Sequence, residues 1–153
     1  MTTAATMRDP WIDRFRTPTD RDLLERYTEP IAPILEELRT ELNEFDGVAE
    51  TIEWMGIPWR WAFHYAIEGD PTPCLAVLAP MPERPSLCIP LTHDLIDAIP
   101  ARRLTRFIRD AIQRGPRVGG VLWCEWEVTA RNQAAELIGL LKRKHQFARG
   151  PAN

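Results

Sequence analysis

His64 and Glu68 lie four residues apart in a segment that alternates apolar and polar side chains, so both fall on one face of a strand. Glu125 and Glu127 occupy the corresponding side of a later alternating segment, and Cys88 a third. If these strands are neighbours, imidazole, carboxylate and thiolate meet on one surface. That donor set suits zinc or iron. The plainer reading is a solvated sheet face on which Arg60 and His64 pair with glutamates across strands. Each such pair contributes roughly 0.2–1 kcal/mol. The plainer reading is preferred, because His64, His93 and His145 share no metal-ligand spacing.

A second carboxylate set follows helical spacing. Glu37, Glu41 and Glu44 recur at i, i+4 and i+7 and line one exposed helix face. Hard oxygen ligands there would suit iron or calcium, yet a carboxylate ridge on a helix is usually just solvated. Arg102, Arg106 and Arg109 have the same spacing and form a basic stripe. Nucleic acid is disfavoured as its partner: the pI is 5.6, and no exposed aromatic side chain is interleaved with the arginines. A solvated face, or an internal partner for the acidic helix, explains the stripe better.

Sequence signatures of common enzymes are absent. There is no GxGxxG, P-loop, GxSxG or HExxH. Gly115, Gly119 and Gly120 precede a strand and cannot present a helix N-terminus to phosphate. They read as a turn. Six tryptophans in 153 residues are more distinctive. Trp54, Trp59, Trp61 and Trp126 are expected in the core, where each indole N–H needs a partner. Trp123 falls opposite Trp126, an apolar side chain on an otherwise polar face. It marks a small exposed patch, either a homodimer contact or a ligand platform.

These side chains need a scaffold, and the chain is long enough to bury a sizeable core without staples. Hydrophobic residues make up 44% and charged residues 27% of it, ordinary values for a globular domain. Cys74, Cys88 and Cys124 are an odd number, widely spaced, and read as free buried thiols in a reducing cytoplasm. The first nine residues have no apolar run, and no stretch approaches the roughly 18 apolar residues of a membrane span. The net charge of −3 is unevenly spread. Residues 1–53 hold six Arg and thirteen Asp or Glu, a net −7, whereas residues 101–153 hold eleven Lys or Arg and four Asp or Glu, a net +7.

Periodicity locates the elements. Thr19 and Asp22 form a capping-box pattern that starts a short helix. Ile31, Ile34, Leu35, Leu38, Leu42 and Phe45 then recur at helical spacing, and Asp46-Gly47 ends that helix. The period next switches to two. Strands are predicted at 50–55, 57–68, 74–79 and 86–91, joined by connections too short for crossovers. In the second of them Trp59, Trp61, Phe63 and Tyr65 are expected to face the helices, with Arg60, His64 and Glu68 on the open side. A short helical turn is expected at 92–99, a helix from Pro100 to about Arg114, a fifth strand at 121–128, and a last helix capped by Thr129. Lys142, Arg143 and Lys144 would occupy its final turn, where they favour the dipole.

The fold expected is α+β: a five-stranded antiparallel sheet with three main helices packed on one face, in the order α-β-β-β-β-α-β-α. Residues 1–18 and 148–153 are read as flexible tails around a single domain at 19–147.

The stretch Leu35-Glu36-Glu37-Leu38-Arg39, followed by Ala49-Glu50-Thr51-Ile52-Glu53-Trp54-Met55-Gly56-Ile57-Pro58, resembles the YdhG-like family of bacterial proteins. Those proteins show a helix, a Glu-Thr-Ile-like strand and a Gly-aliphatic-Pro turn before aromatic strands. The element order is similar over about residues 28–145, whereas the later half, with its Arg-rich helix and Trp-rich last strand, looks more like a related family. The resemblance implies a compact α+β domain. Some family members have been called frataxin-like iron chaperones, but no iron-binding motif transfers onto numbered positions here.

The functional expectation is a non-enzymatic cytoplasmic binding or interaction domain with no cofactor, dimeric through part of its sheet. Its partner, protein or small molecule, is not specified by the sequence. Ligand or interface candidates are Arg60, His64, Trp123, Glu125 and Glu127. The alternatives are a frataxin-like metal-binding protein using Glu37, Glu41 and Glu44, and a small-molecule enzyme with an aromatic-lined pocket.

Overall fold

A computed structural model describes residues 10, 12–27, 30–56, 59–81 and 85–148. Most of the two expected tails, and the expected strand start at Ile57-Pro58, lie outside the described residues.

Helix α1 (Asp20–Leu24) opens with the expected capping box. The Thr19 hydroxyl accepts from the Asp22 N–H at 3.1 Å, and the Asp22 carboxylate accepts from the Thr19 N–H at 2.9 Å. In α2 (Ile31–Glu44), Ile34, Leu35, Leu38 and Leu42 form the buried stripe that the spacing predicts. Strands β1 (Val48–Trp54), β2 (Trp61–Ile67), β3 (Ala76–Ala79) and β4 (Ser86–Thr92) then form the expected antiparallel meander. Thr92 caps the short α3 (His93–Ala98).

The single helix expected from Pro100 is two elements. A 3-10 turn at Ala101–Arg103 comes first, and α4 (Arg106–Arg114) follows. Thr105 separates them: its backbone is extended and its hydroxyl accepts from the Ile108 N–H, as an N-cap does. The sheet has six strands rather than five. Gly119 and Gly120 both have positive φ (59° and 81°), the requirement of a tight two-residue hairpin. They join the short β5 (Arg117–Val118) to β6 (Val121–Glu127). Helix α5 (Arg131–Ala148) closes the fold. The strand order is β1-β2-β3-β4-β6-β5, antiparallel throughout.

The main core lies between one sheet face and the helices. Trp61, Phe63, Tyr65, Leu78, Ile89, Leu122, Cys124 and Trp126 pack there with Leu38, Leu42, Ile108, Leu137 and Leu141. The expected assignment of faces therefore holds for β2 from Trp61 onward and for β6. Trp59 is a correction. It packs on the opposite face, with Ala62, Val77, Ala79, Cys88 and Trp123. The strand starts only at Trp61, and the preceding connection bends through Gly56 (φ 75°) and Arg60 (φ 55°). That bend breaks the two-residue parity on which the expectation rested. Lys144 is a second correction: it is buried in α5, not displayed in a solvated last turn.

No helix of the described residues is long and apolar enough to cross a membrane.

Candidate functional site on the sheet face opposite the helices

The strand register decides which side chains share this face. Thr51 lies opposite His64, His64 opposite Val77, Val77 opposite Cys88, and Cys88 opposite Glu125. The five form one row across the sheet. His64 and Cys88 are thus separated by β3, about 10 Å at the usual spacing of strands, too far to share one ion. His64 instead pairs with Glu53, its Nδ1 lying 3.0 Å from Oε2. That same oxygen accepts from the Thr51 hydroxyl at 2.6 Å. Glu68 lies just past the end of β2 and is exposed. Among the described residues, no three His, Cys, Asp or Glu side chains gather as a metal ion would need.

The three thiols are free and buried. Burial pushes Cys74 up to about 11 and Cys124 up to about 12. Burial likewise raises Cys88, and the Glu125 charge adds to that. A thiol held protonated is a poor nucleophile and a poor metal ligand.

The other end of the row carries a different arrangement. The Trp59 indole N–H donates to Glu125 Oε2 at 2.9 Å. The Trp59 and Trp123 rings have centroids 6.2 Å apart and planes tilted by 46°. Both indoles are half-buried, whereas Glu125 is exposed. They line an open cleft of about 440 Å³ together with Ala111, Arg114, Gly115, Pro116 and Val118. Gly115 permits this closeness, since a Cβ there would lie 2.9 Å from the Trp123 carbonyl oxygen. The Trp123 N–H bonds to the Pro116 carbonyl at 2.9 Å and fixes that residue beside it. Val118, at the hairpin tip, is 64% exposed.

Of the expected site residues, the structure thus brings Trp123 and Glu125 together and adds Trp59. Arg60 holds the bend that delivers Trp59. Glu127 lies one alternate position beyond Glu125, opposite Ser86. His64 belongs to a separate cluster with Glu53.

The acidic ridge of α2 is partly occupied. Glu37 Oε1 accepts from Arg131 of α5 at 2.5 Å. Glu41 shares with them a shallow groove of about 610 Å³ between the two helices, and Glu44 is exposed. The contact joins the acidic first third to the basic last third. Of the arginines between 102 and 109, Arg102, Arg103 and Arg109 are exposed, and Arg106 pairs within its own helix with Asp110 at 3.6 Å.

One polar cluster was not foreseen. Arg39 of α2 holds Glu50 of β1 through two bonds of 3.1 and 2.6 Å, and its guanidinium sits 4.4 Å above the Phe63 ring. Tyr65 and Asn43 donate to the same carboxylate at 2.6 and 2.9 Å. Burial alone would raise the Glu50 pKa, but these bonds outweigh it and lower it. The sequence signal was a glutamate at a helix-facing position of an alternating strand. Both carboxylate oxygens are engaged by the fold, so the cluster is structural.

Comparison with protein-family models and with curated proteins gives no match to this chain.

Proposed function

We propose that the protein is a binding domain whose ligand surface is the cleft where the sheet face away from the helices meets the C-terminal end of α4, lined by Trp59, Trp123, Glu125 and Arg114. One observation carries this reading. Two half-buried indoles, one of them tethered to a carboxylate, line a cleft of about 440 Å³, within the usual size range of small-ligand sites. Apolar area with a few convergent polar groups is what such sites need. Binding rather than catalysis is favoured because the buried thiols are held protonated and His64 is engaged by Glu53. Three free thiols suit a cytoplasmic location.

Kinship with the YdhG-like family belongs to the same proposal. It is supported by the order helix, Glu-Thr-Ile strand, Gly56 turn and aromatic strand. Self-association through the sheet also belongs to it, supported by the exposed Val118 on the outermost strand β5.

The test is a panel of small aromatic, cationic and anionic compounds followed through the indole ¹H–¹⁵N resonances. Binders should move the Trp59 and Trp123 signals and lose affinity in Trp123→Leu. Binders that leave those two signals unmoved and perturb the α2–α5 groove would refute the assignment.

A further inference from the structure

We infer that the Trp59–Trp123 corner takes an alkylated ammonium group and that Arg114 takes an anionic group of the same small ligand. The inference rests on the cleft being the binding surface and adds the ligand's chemical class.

The ring geometry selects against a flat ligand. Rings tilted by 46° with centroids 6.2 Å apart form a corner and cannot clamp a planar group between parallel faces. A corner suits a rounded cation, which is attracted to the negative faces of both rings. The Trp59 hydrogen bond adds to this. Donating the indole N–H to an anionic acceptor polarises the ring and makes its face more negative. Glu125 is exposed and accepts only that N–H among the described residues.

Charge on the face points the same way. Glu125 lines the cleft and is exposed. A simple anion or a nucleotide would meet that carboxylate beside the indoles. The cleft lining also contains one cation, Arg114. Among the described residues it makes no ion pair. A ligand with ammonium at one end and phosphate or carboxylate at the other matches the indole pair and Arg114 together. Such a zwitterion could be free or a headgroup, and the probe below contains the shared chemistry.

The full chain is titrated with phosphocholine while the indole resonances are recorded. Parallel titrations use tetramethylammonium, inorganic phosphate and the uncharged isostere 3,3-dimethylbutan-1-ol. Phosphocholine should shift the Trp59 and Trp123 signals saturably, and the alcohol should bind at least about tenfold more weakly. Glu125→Gln and Trp123→Leu should each weaken phosphocholine by about tenfold or more. Glu125 is exposed, so its variant keeps the test valid if Trp123→Leu fails to fold. Arg114→Gln should weaken phosphocholine and leave tetramethylammonium unchanged. Equal binding of the alcohol would overturn the cation inference and leave the cleft as an apolar binding site. No shift with phosphocholine, or shifts with phosphate alone, would also overturn it. Failure of the cleft itself is read separately, from the broader panel. If phosphocholine does bind, supported vesicles displaying phosphocholine headgroups then separate a lipid source from a free one.

Discussion

The Lys144 ammonium donates a 2.5 Å hydrogen bond to the carbonyl oxygen of Pro90, inside strand β4. It also donates to the carbonyls of Cys74 and Leu75 at 2.7 and 2.9 Å. The pairing of β3 with β4 stops at Cys88, so Lys144 satisfies a β4 carbonyl that the ladder leaves open. Pro90 is tolerated in the strand because it has no N–H to orphan. Asp70 Oδ2, which accepts no hydrogen bond, lies 3.9 Å from the same ammonium, and both side chains are 2% exposed. Lys144→Met would strand three carbonyls and one buried carboxylate. Losing one partner of such a pair costs roughly 3–5 kcal/mol. Urea denaturation should show that loss, and Lys144→Met with Asp70→Asn should cost less than the two changes summed. An unchanged midpoint for Lys144→Met would refute the role.

The same region sets an alkaline limit on stability. Burial holds the three thiols above their unfolded value near 9, Cys74 at about 11 and Cys124 at about 12. Burial pulls Lys144 the other way, from 10.5 to about 8, against the pull of Asp70. Taken alone, Lys144 adds stability as pH rises from about 8 toward 10.5, because the unfolded chain holds its proton longer. The thiols do the reverse, because the unfolded chain loses its protons first. Between pH 9 and 10.5, three thiol protons oppose one lysine proton, a net two fewer bound to the unfolded chain. Stability should therefore fall by up to about 2.7 kcal/mol per pH unit in that window. Burial-raised Tyr27 and Tyr65 extend the loss above pH 10. Urea midpoints under reducing conditions at pH 8, 9 and 10 test this. Replacing all three cysteines with alanine should abolish the fall between 9 and 10.

On the acid side the Arg39–Glu50 pair should dominate its own neighbourhood. Glu50 is held ionised below its usual range, so its contribution is complete above about 4.5 and is lost as pH falls through its lowered pKa. Glu50→Gln should flatten the acid limb of a stability–pH curve without altering the fall between pH 9 and 10. Arg39→Met should cost roughly 2 kcal/mol, less than a fully buried pair would, because the two side chains are 20% and 17% exposed. An acid limb identical in wild type and Glu50→Gln would contradict this.

Phe63 lies under the Arg39 guanidinium and is fully buried in the main core. Phe63→Ala should cost roughly 3–5 kcal/mol, much of a typical total of about 5–15 kcal/mol. A thermal midpoint close to wild type would mean that the helix-facing side of β2 had been misassigned.

What was legible in the sequence was periodicity inside single elements. The α2 stripe, the meander and the alternation from Trp61 to Ile67 each follow from one repeat length acting on neighbouring residues. Thr19 and Asp22 carry their cap in four positions. The misses have physical reasons of the same scale. Strand β5 has two residues, too few to show a period, although Gly119-Gly120 carries the hairpin signal. Thr105 could be seen as an N-cap only by giving up the longer apolar pattern around it. Trp59 changed faces because Arg60 adopts a left-handed backbone, which no residue-type preference announces for arginine. Half of the candidate site therefore appeared beforehand, Trp123 and Glu125, and its other half did not. Lys144 is buried only because β3 begins late, a tertiary circumstance outside any window around residue 144.

Metal binding by Glu37, Glu41 and Glu44 requires their oxygens to be available, yet Glu37 is held by Arg131 at 2.5 Å. An ion would have to displace that guanidinium, and the remaining two glutamates are exposed side chains one turn apart on a solvated helix. The Glu37–Arg131 pair itself contributes little, at most about 1 kcal/mol, since both side chains are more than half exposed. Iron or zinc titrated into the protein should therefore show no site tighter than about the millimolar range, roughly −4 kcal/mol. Arg131→Gln gives the critical comparison. It frees Glu37 without altering the ridge, so a site limited only by that ion pair would tighten severalfold. Two solvated carboxylates with a third newly released still lack the geometry to desolvate an ion, and no tightening beyond the millimolar range is expected. A micromolar, stoichiometric site in wild type, abolished by Glu37→Gln with Glu41→Gln, would move the function from the sheet face to this ridge.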